Sequence, residues 1–192
     1  VSRCVNTSTL TVLSRSGGIA GHNEGSVVDC DCSCAITGPG DSNGGLVGEN
    51  SGCLTDCRSY VTIEGGEYVG GLAGLNEGEL SHCVCVSTVG GEGYVGGLIG
   101  FNEIRGDVLR CTSACGVSGE FRVGGACGLN WGTLKDSSST GRVRAEAEWC
   151  GGFVGCNMGT ILACRSHSGV TGDDYVGGFS GADAGTVMCC YS

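Results

Sequence analysis

A short motif built around a pair of glycines returns seven times along this chain. The pairs begin at residues 17, 44, 70, 96, 124, 151 and 177, so successive pairs are 26 to 28 residues apart. A fixed period of this size is typical of solenoids, propellers and other repeat arrays. One such repeat cannot bury its own apolar face, so neighbouring repeats have to stack on one another. This period constrains the fold more strongly than any other feature of the sequence.

Alignment on the glycine pairs brings the same residue types into the same positions of each repeat. We call each such set of equivalent positions a column. One column contains Asn23, Asn50, Asn76, Asn102, Asn130 and Asn157, with Asp183 in the last copy. Another column contains Cys4, Cys30, Cys57, Cys83, Cys111, Cys164 and Cys190, with Ser137 in place of cysteine in one copy. Small and apolar columns alternate with polar ones after this point, which indicates β-strand.

Each repeat is expected to contain two extended segments separated by turns. One segment reads Val-Gly-Gly-Leu-x-Gly, and the other reads apolar-x-x-Cys-x-Ser-x-x-x-Val. We assign the glycines and asparagines between them to the turns, because both residue types tolerate the left-handed backbone conformation. Glycine in place of a larger residue should also let two faces approach closely and make the core thin.

The sequence therefore predicts an all-β protein, a parallel β-solenoid (β-helix) of about seven turns with one repeat of 26–28 residues per turn. We predict that residues 1–192 form a single repeat domain, with no helix in it. The chain starts inside a repeat and does not begin with Met. We therefore expect it to be an excerpt of a longer chain or a mature fragment.

Charge and hydropathy exclude several classes of function. The net charge is −10, which argues against nucleic acid as a partner and against charge-driven binding to an anionic membrane. The chain has no apolar run of about 18 residues, so we predict no transmembrane helix and no direct membrane insertion.

The segment from Val69 to Asn76, Val-Gly-Gly-Leu-Ala-Gly-Leu-Asn, and the segment from Gly78 to Cys83, Gly-Glu-Leu-Ser-His-Cys, carry a family resemblance. They resemble the GLUG repeat of bacterial secreted and surface proteins, and the resemblance covers essentially the whole chain. Some members of that family are IgA-directed metallopeptidases, and others are large adhesin-like chains. The resemblance implies an extracellular β-solenoid. It implies no catalysis, because in those peptidases the repeats lie outside the metal-binding catalytic domain.

The 16 cysteines depart from the usual pattern of that family and allow two interpretations. The cysteine column can consist of small buried hydrophobic residues, since Ser137 replaces one of them without disturbing its repeat. Alternatively, neighbours in the column can form disulfides, because their Cα atoms would be about 4.8 Å apart, although parallel side chains make that geometry imperfect. An even number of cysteines in a secreted chain favours some bridges. Five cysteines lie outside the main columns and can pair or stay free: Cys53, Cys127, Cys150, Cys156 and Cys189.

Metal binding and catalysis find little support in the sequence. Cysteines and His82 alternate along two strands, but no Cys-x(2–4)-Cys pair recurs in the pairing that structural zinc needs. The three histidines, His22, His82 and His167, fall in different columns, so no catalytic triad can be assembled from them, and no HExxH motif occurs. We predict no catalytic residue, no metal and no cofactor.

Paired carboxylates are candidate catalytic groups because some β-solenoids cleave polysaccharides. Such enzymes need two carboxyl groups facing each other roughly 5–9 Å apart. Asp173 and Asp174 are adjacent and should point to opposite faces, so a solvated turn is the simpler interpretation. The pair Asp29 and Asp31 is the other close one. A polysaccharide-cleaving β-helix enzyme remains a remote alternative.

The best candidate for binding is the column just before each Val-Gly-Gly. It contains Tyr68, Tyr94, Arg122, Trp149 and Tyr175. Stacked one per turn, these residues would form a stripe with Arg122 between aromatic rings. A structural ladder along one corner is the favoured interpretation. The functional alternative is a platform for sugar rings or for another protein, since a contiguous exposed aromatic row is unusual.

We therefore predict a non-catalytic structural or adhesive repeat module of a bacterial surface or secreted protein. Its partners would be flanking repeats or other copies, since the open end of a solenoid offers unpaired backbone groups and no distinct polar cap is visible at either end. The alternative is a carbohydrate- or protein-binding module that uses the aromatic stripe to hold a glycan or a host protein.

Overall fold

The structure, a computed structural model, describes residues 1–192. It contains 32 β-strands and no helix, and the strands form four parallel sheets. Strand partners lie one repeat apart: Cys53 of one strand pairs with Ser26 on one side and with Glu79 on the other. The chain is thus a parallel β-solenoid of about seven coils with one repeat per coil, as the sequence predicts.

Two sheets follow the glycine pairs and the asparagines. The glycine sheet consists of β3 (Ser16–Gly17), β8 (Asn43–Gly44), β13 (Glu67–Gly70), β18 (Gly93–Gly96), β22 (Phe121–Gly124), β26 (Glu148–Gly151) and β30 (Asp174–Gly177). The asparagine sheet consists of β4 (Ala20–Asn23), β9 (Val47–Asn50), β14 (Ala73–Asn76), β19 (Ile99–Asn102), β23 (Cys127–Asn130), β27 (Val154–Asn157) and β31 (Ser180–Asp183).

The other two sheets complete each coil. The leucine sheet consists of β5 (Ser26–Val28), β10 (Cys53–Thr55), β15 (Glu79–Ser81), β20 (Asp107–Leu109), β24 (Thr133–Lys135), β28 (Thr160–Leu162) and β32 (Thr186–Met188). The wide sheet consists of β1 (Val5–Asn6), β2 (Leu10–Thr11), β6 (Asp31–Cys32), β7 (Ala35–Thr37), β11 (Arg58–Ser59), β12 (Thr62–Glu64), β16 (Val84–Cys85), β17 (Thr88–Gly90), β21 (Thr112–Gly119), β25 (Ser138–Ala145) and β29 (Arg165–Thr171).

The expectation of two extended segments per repeat was too coarse. A coil such as the third contains five short strands, β13 to β17, because the chain bends between them. In the wide sheet the early coils have two short strands where the later coils have one continuous strand, such as β21. The bend in the early coils opens a groove on this face.

Two corners of each coil use residues in the left-handed backbone region. At the first corner, which kinks the glycine sheet, φ is 57° for Tyr68, and at the second corner, before the cysteine column, it is 54° for Asp56. The first-corner residues are Arg15, Ser42, Tyr68, Tyr94, Arg122, Trp149 and Tyr175. This conformation is unfavourable for a residue with a side chain. Stacking compensates for it, because each coil repeats the same corner and the coils are hydrogen-bonded to one another.

The protein has one hydrophobic core, which consists of apolar columns that run from coil to coil. Leu54 and Leu80 of the leucine sheet and Ile63 of the wide sheet are fully buried in it. The glycine pairs make this core thin, as expected. A Cβ atom on Gly71 would collide with the Cys85 side chain and with the backbone of the next coil. Only glycine at this position therefore allows the wide sheet to pack so closely against the glycine pair.

The asparagine column lies inside the core and does not form turns, which corrects the sequence interpretation. Asn50, Asn76 and Asn102 are fully buried, and their φ values are not in the left-handed region. Each side-chain amide donates a hydrogen bond to the Oδ1 of the next coil, at 2.7 to 2.9 Å from the first coil to the last. The same amide donates to a glycine carbonyl two to four residues further on. Buried polar groups need such partners, and this ladder supplies them in every coil.

Candidate functional site: the aromatic corner and its pocket

The cysteine column is superposed coil on coil. Its thiols donate hydrogen bonds to backbone carbonyls next to the second corner. The Sγ of Cys57 donates to the carbonyl of Thr55 at 3.2 Å, two residues back. Ser137 makes the same bond with its hydroxyl to the carbonyl of Lys135, at 2.8 Å. Equivalent bonds occur at Cys30, Cys83, Cys111, Cys164 and Cys190. The column therefore contains small hydrogen-bond donors, which explains why serine can replace cysteine.

All 16 cysteines are free thiols in this structure. In the column, hydrogen bonding with Cys111 raises the pKa of Cys83 to about 12, and burial raises the pKa of Cys164 to about 12. A thiol that stays protonated is a poor nucleophile. Cys83 and Cys164 are consequently unreactive.

The aromatic stripe stacks as predicted over its central part. The rings of Tyr68 and Tyr94 are stacked, with centroids 4.7 Å apart and an interplanar angle of 19°. The guanidinium carbon of Arg122 lies 4.8 Å from the Tyr94 centroid and 4.2 Å from the Trp149 centroid. Arg122 is thus held between two rings, and its Nη1 donates a hydrogen bond to the Tyr94 hydroxyl at 3.1 Å. Tyr175 stands apart from these stacks and is 65% exposed.

A second row of rings lies beside the stripe on the outer face of the asparagine sheet. Phe101 is 6.0 Å from Tyr68, centroid to centroid, and 5.2 Å from Trp131 in an edge-to-face arrangement. This row was not predicted from the sequence. The available signal was an apolar residue at an outward position of the strand alternation, at Leu75, Phe101 and Leu129. Together the two rows form an aromatic corner that is broader than one stripe.

A pocket opens where the stripe loses its ring. Ser42 occupies the stripe position in the coil before Tyr68, so the face of Tyr68 that points away from Tyr94 is not covered by another ring. The cavity there measures about 510 Å³ and is lined by Tyr68, Phe101 and Leu75, together with a polar set made of Ser14, Arg15, Asp41, Ser42, Glu49 and Glu103. We call it the corner pocket.

The polar wall of the corner pocket carries one arginine and three carboxylates. Arg15 Nε lies 3.1 Å from Glu49 Oε1, and His22 Nδ1 lies 3.5 Å from Glu49 Oε2. Burial, followed by the nearby charge of Glu77, raises the pKa of Glu103 above its ordinary value. Burial and then the nearby charge of Glu67 raise the pKa of Tyr68. The wall offers both hydrogen-bond donors and acceptors beside an aromatic floor.

The other residues singled out in the sequence do not converge. His22 lies near carboxylates of the first coils, His82 is a second-corner residue, and His167 contacts Tyr191 on the last coils. Asp173 and Asp174 are exposed at the start of β30. No three His, Cys, Asp or Glu side chains come together in a metal-binding arrangement. The structure also contains no helix of the length and hydropathy needed to cross a membrane.

Comparison with family models, with curated proteins and with solved structures finds no match for this chain. The resemblance to the GLUG repeat therefore remains a prediction.

Proposed function

We propose that this chain is a rigid, non-catalytic structural and adhesive repeat module of an extracellular or bacterial cell-surface protein, and that it binds a neutral glycan through the corner pocket. One observation carries the proposal: the ring stack of the first corner stops at Ser42, and Tyr68 presents an unstacked face to a cavity with polar walls. A concave site with an apolar floor and a few convergent polar groups is the usual form of a ligand site.

The stacking itself decides which part of the stripe can bind a ring. Tyr94 is covered by Tyr68 on one side and by Arg122 on the other, so it serves as a structural ladder. Only a terminal ring of the stack can accept a ligand face, and Tyr68 is the terminal ring that lines a pocket. The structural and the binding interpretations of the stripe thus apply to different residues.

The polar wall favours a neutral sugar over a charged partner. Sugar hydroxyls both donate and accept hydrogen bonds, and Arg15 with the carboxylates of Glu49 and Glu103 offers both functions. An anionic ligand would meet three carboxylates in the pocket and a net charge of −10 on the chain. The apolar face of a pyranose ring can pack on Tyr68 and Phe101, which are large and rigid surfaces.

The test is titration of neutral oligosaccharides by calorimetry after a screen on a glycan array. We expect Tyr68→Ser to weaken binding by about two- to tenfold, the order of one lost aromatic contact. This variant should fold, because serine occupies the same corner at Ser42 with φ of 58°. Tyr175→Ser is the matched control, since Tyr175 lies in the same column but outside the pocket. Equal affinity in both variants, or no binding of any neutral glycan, would refute the proposal.

End-to-end association is a second candidate. Val187 is 37% exposed on the last coil, whereas its partner Ile161 one coil back is fully buried. A further coil, from flanking repeats or from a second copy, would bury this apolar edge and pair its strands. Sedimentation velocity at increasing protein concentration tests the second-copy form, and a constant sedimentation coefficient would exclude it.

A further inference from the structure

The wide sheet has an open groove that a cysteine lines. The groove measures about 560 Å³ and lies where the strands of the early coils are interrupted; among its lining residues are Ser33, Cys34, Tyr60 and Thr62. Cys34 is 8% exposed, and it lines this groove, which is open to solvent. None of these residues takes part in the corner pocket, which lies on another face.

A second thiol lies directly behind the first. The Sγ atoms of Cys32 and Cys34 are 3.1 Å apart. In one straight strand, side chains two residues apart lie on the same face but are separated by about 6.6 Å along the strand. Here β6 ends at Cys32 and β7 begins at Ala35, so the bend at Ser33 brings the two sulfurs together.

We propose that Cys32 and Cys34 form a thiol–disulfide exchange site that reacts with low-molecular-weight disulfides entering this groove. Cys34, as its thiolate, attacks one sulfur of the incoming disulfide; a mixed disulfide forms, and the first small thiol leaves and takes up a proton. Cys32 then loses its proton and attacks the Sγ of Cys34, which releases the second small thiol. The two protein thiols are oxidised by two electrons to one disulfide, and the small disulfide is reduced to two thiols.

The positions of the two cysteines relative to the groove determine their roles. Cys34 lines the groove, whereas Cys32 does not and is fully buried. Burial and the neighbouring Cys34 raise the pKa of Cys32 well above its ordinary value, which suits a thiol that reacts only with a partner already beside it. Cys34 is therefore the attacking thiol and Cys32 the resolving thiol.

The molecule contains its own comparison pair. Cys85 and Cys115 have Sγ atoms 3.4 Å apart, on neighbouring coils. They are 0% and 1% exposed and do not line the groove. If sulfur proximity alone allowed exchange, both pairs would react in the folded protein. If access through the groove is required, only Cys32 and Cys34 react.

The experiment is incubation of the folded protein with oxidised glutathione, followed by acid quenching, alkylation of the remaining thiols and peptide mass mapping. In the wild type we expect Cys32 and Cys34 to escape alkylation, in a peptide that is two hydrogens lighter than its reduced form. Cys85 and Cys115 should be recovered alkylated. In Cys32→Ser we expect one glutathione to remain on Cys34. In Cys34→Ser we expect no glutathione on Cys32.

Both variants reproduce residues that other coils already use. Serine occupies the Cys32 position at Ser59, and Ser87 occupies the position of Cys34 two coils on, so both variants should fold. The exposed Cys4 and Cys189 report in every sample that the reagent is active. The proposal is overturned if Cys34 stays free in the wild type and in Cys32→Ser at a time when Cys4 and Cys189 are already modified. It is equally overturned if Cys85 and Cys115 oxidise as fast as the groove pair.

Discussion

The Nδ2 of Asn76 donates a hydrogen bond to the Oδ1 of Asn102 one coil further on, at 2.8 Å, and both side chains are fully buried. The bond is one step of a ladder that runs in a single direction through all coils. A shift of one coil by one residue would leave these amides unpaired in the core, which is costly. The ladder therefore selects the register in which the core columns and the aromatic corner are aligned.

We expect Asn76→Ala to lower the free energy of unfolding by about 1–3 kcal/mol, because the Asn50 amide loses its acceptor and the Asn102 carbonyl loses its donor. The measurement is urea denaturation followed by circular dichroism. Glu79→Ala, at an exposed position on the same coil, is the control. An unchanged midpoint in Asn76→Ala would show that the ladder does not stabilise the fold.

Asp183 is the last position of the ladder and can accept but not donate. It accepts from Asn157 Nδ2 at 2.7 Å, and a coil placed beyond it would bring a further amide oxygen against its carboxylate. We expect Asp183→Asn to strengthen end-to-end association, measured as a rise in the sedimentation coefficient at fixed concentration. Asp173→Asn removes the same charge from an exposed site and should have less effect. If both variants behave alike, net charge and not the ladder controls association.

Cys83 tests whether the cysteine column needs a donor or only a small side chain. Cys83→Ser keeps the bond to the Ser81 carbonyl and should cost less than about 1 kcal/mol of unfolding free energy. Cys83→Val is similar in size but leaves that carbonyl without this donor, so we expect a loss of about 1–3 kcal/mol. Parallel denaturation curves measure the difference. Equal losses, or a larger loss for serine, would mean that burial of an apolar group dominates at this position.

Glu103 should destabilise the fold at neutral pH. Because burial and Glu77 raise its pKa in the folded state, the folded protein holds the Glu103 proton more tightly than the unfolded chain. Stability is then lost as pH rises through the unfolded-state pKa towards the folded-state value. We expect Glu103→Gln to raise the melting temperature at about pH 7 and to have no such effect at about pH 3, where the carboxyl is protonated in both states.

Glu120→Gln is the control for that measurement, because it removes the same charge from an exposed side chain. A stabilisation of Glu103→Gln that is the same at both pH values would contradict the electrostatic explanation.

Part of the aromatic corner could be predicted from the sequence and part could not. The stacking of Tyr68 on Tyr94 and the position of Arg122 between rings follow from one residue per coil in one column. The contact between Tyr68 and Phe101 joins two different columns across a bend of the coil. Its distance depends on the angle between two sheets, and that angle is not encoded in the repeat period. The corner pocket needs that angle as well as the missing ring at Ser42.

The sequence by itself determined the coil length, the parallel stacking and the membership of each column, because identical coils must place like residues over one another. The alternation of small and apolar residues with polar ones also predicted which of those columns face inward. Only the tertiary structure decided where the asparagines lie and which residues turn the corners. It placed the asparagines inside the core and gave the left-handed corners to residues such as Tyr68 and Asp56. It also brought Cys32 against Cys34 by a bend at Ser33. The physical reason is that a column forms along the axis by repetition, whereas the path of one coil around its core is set by packing among the four sheets.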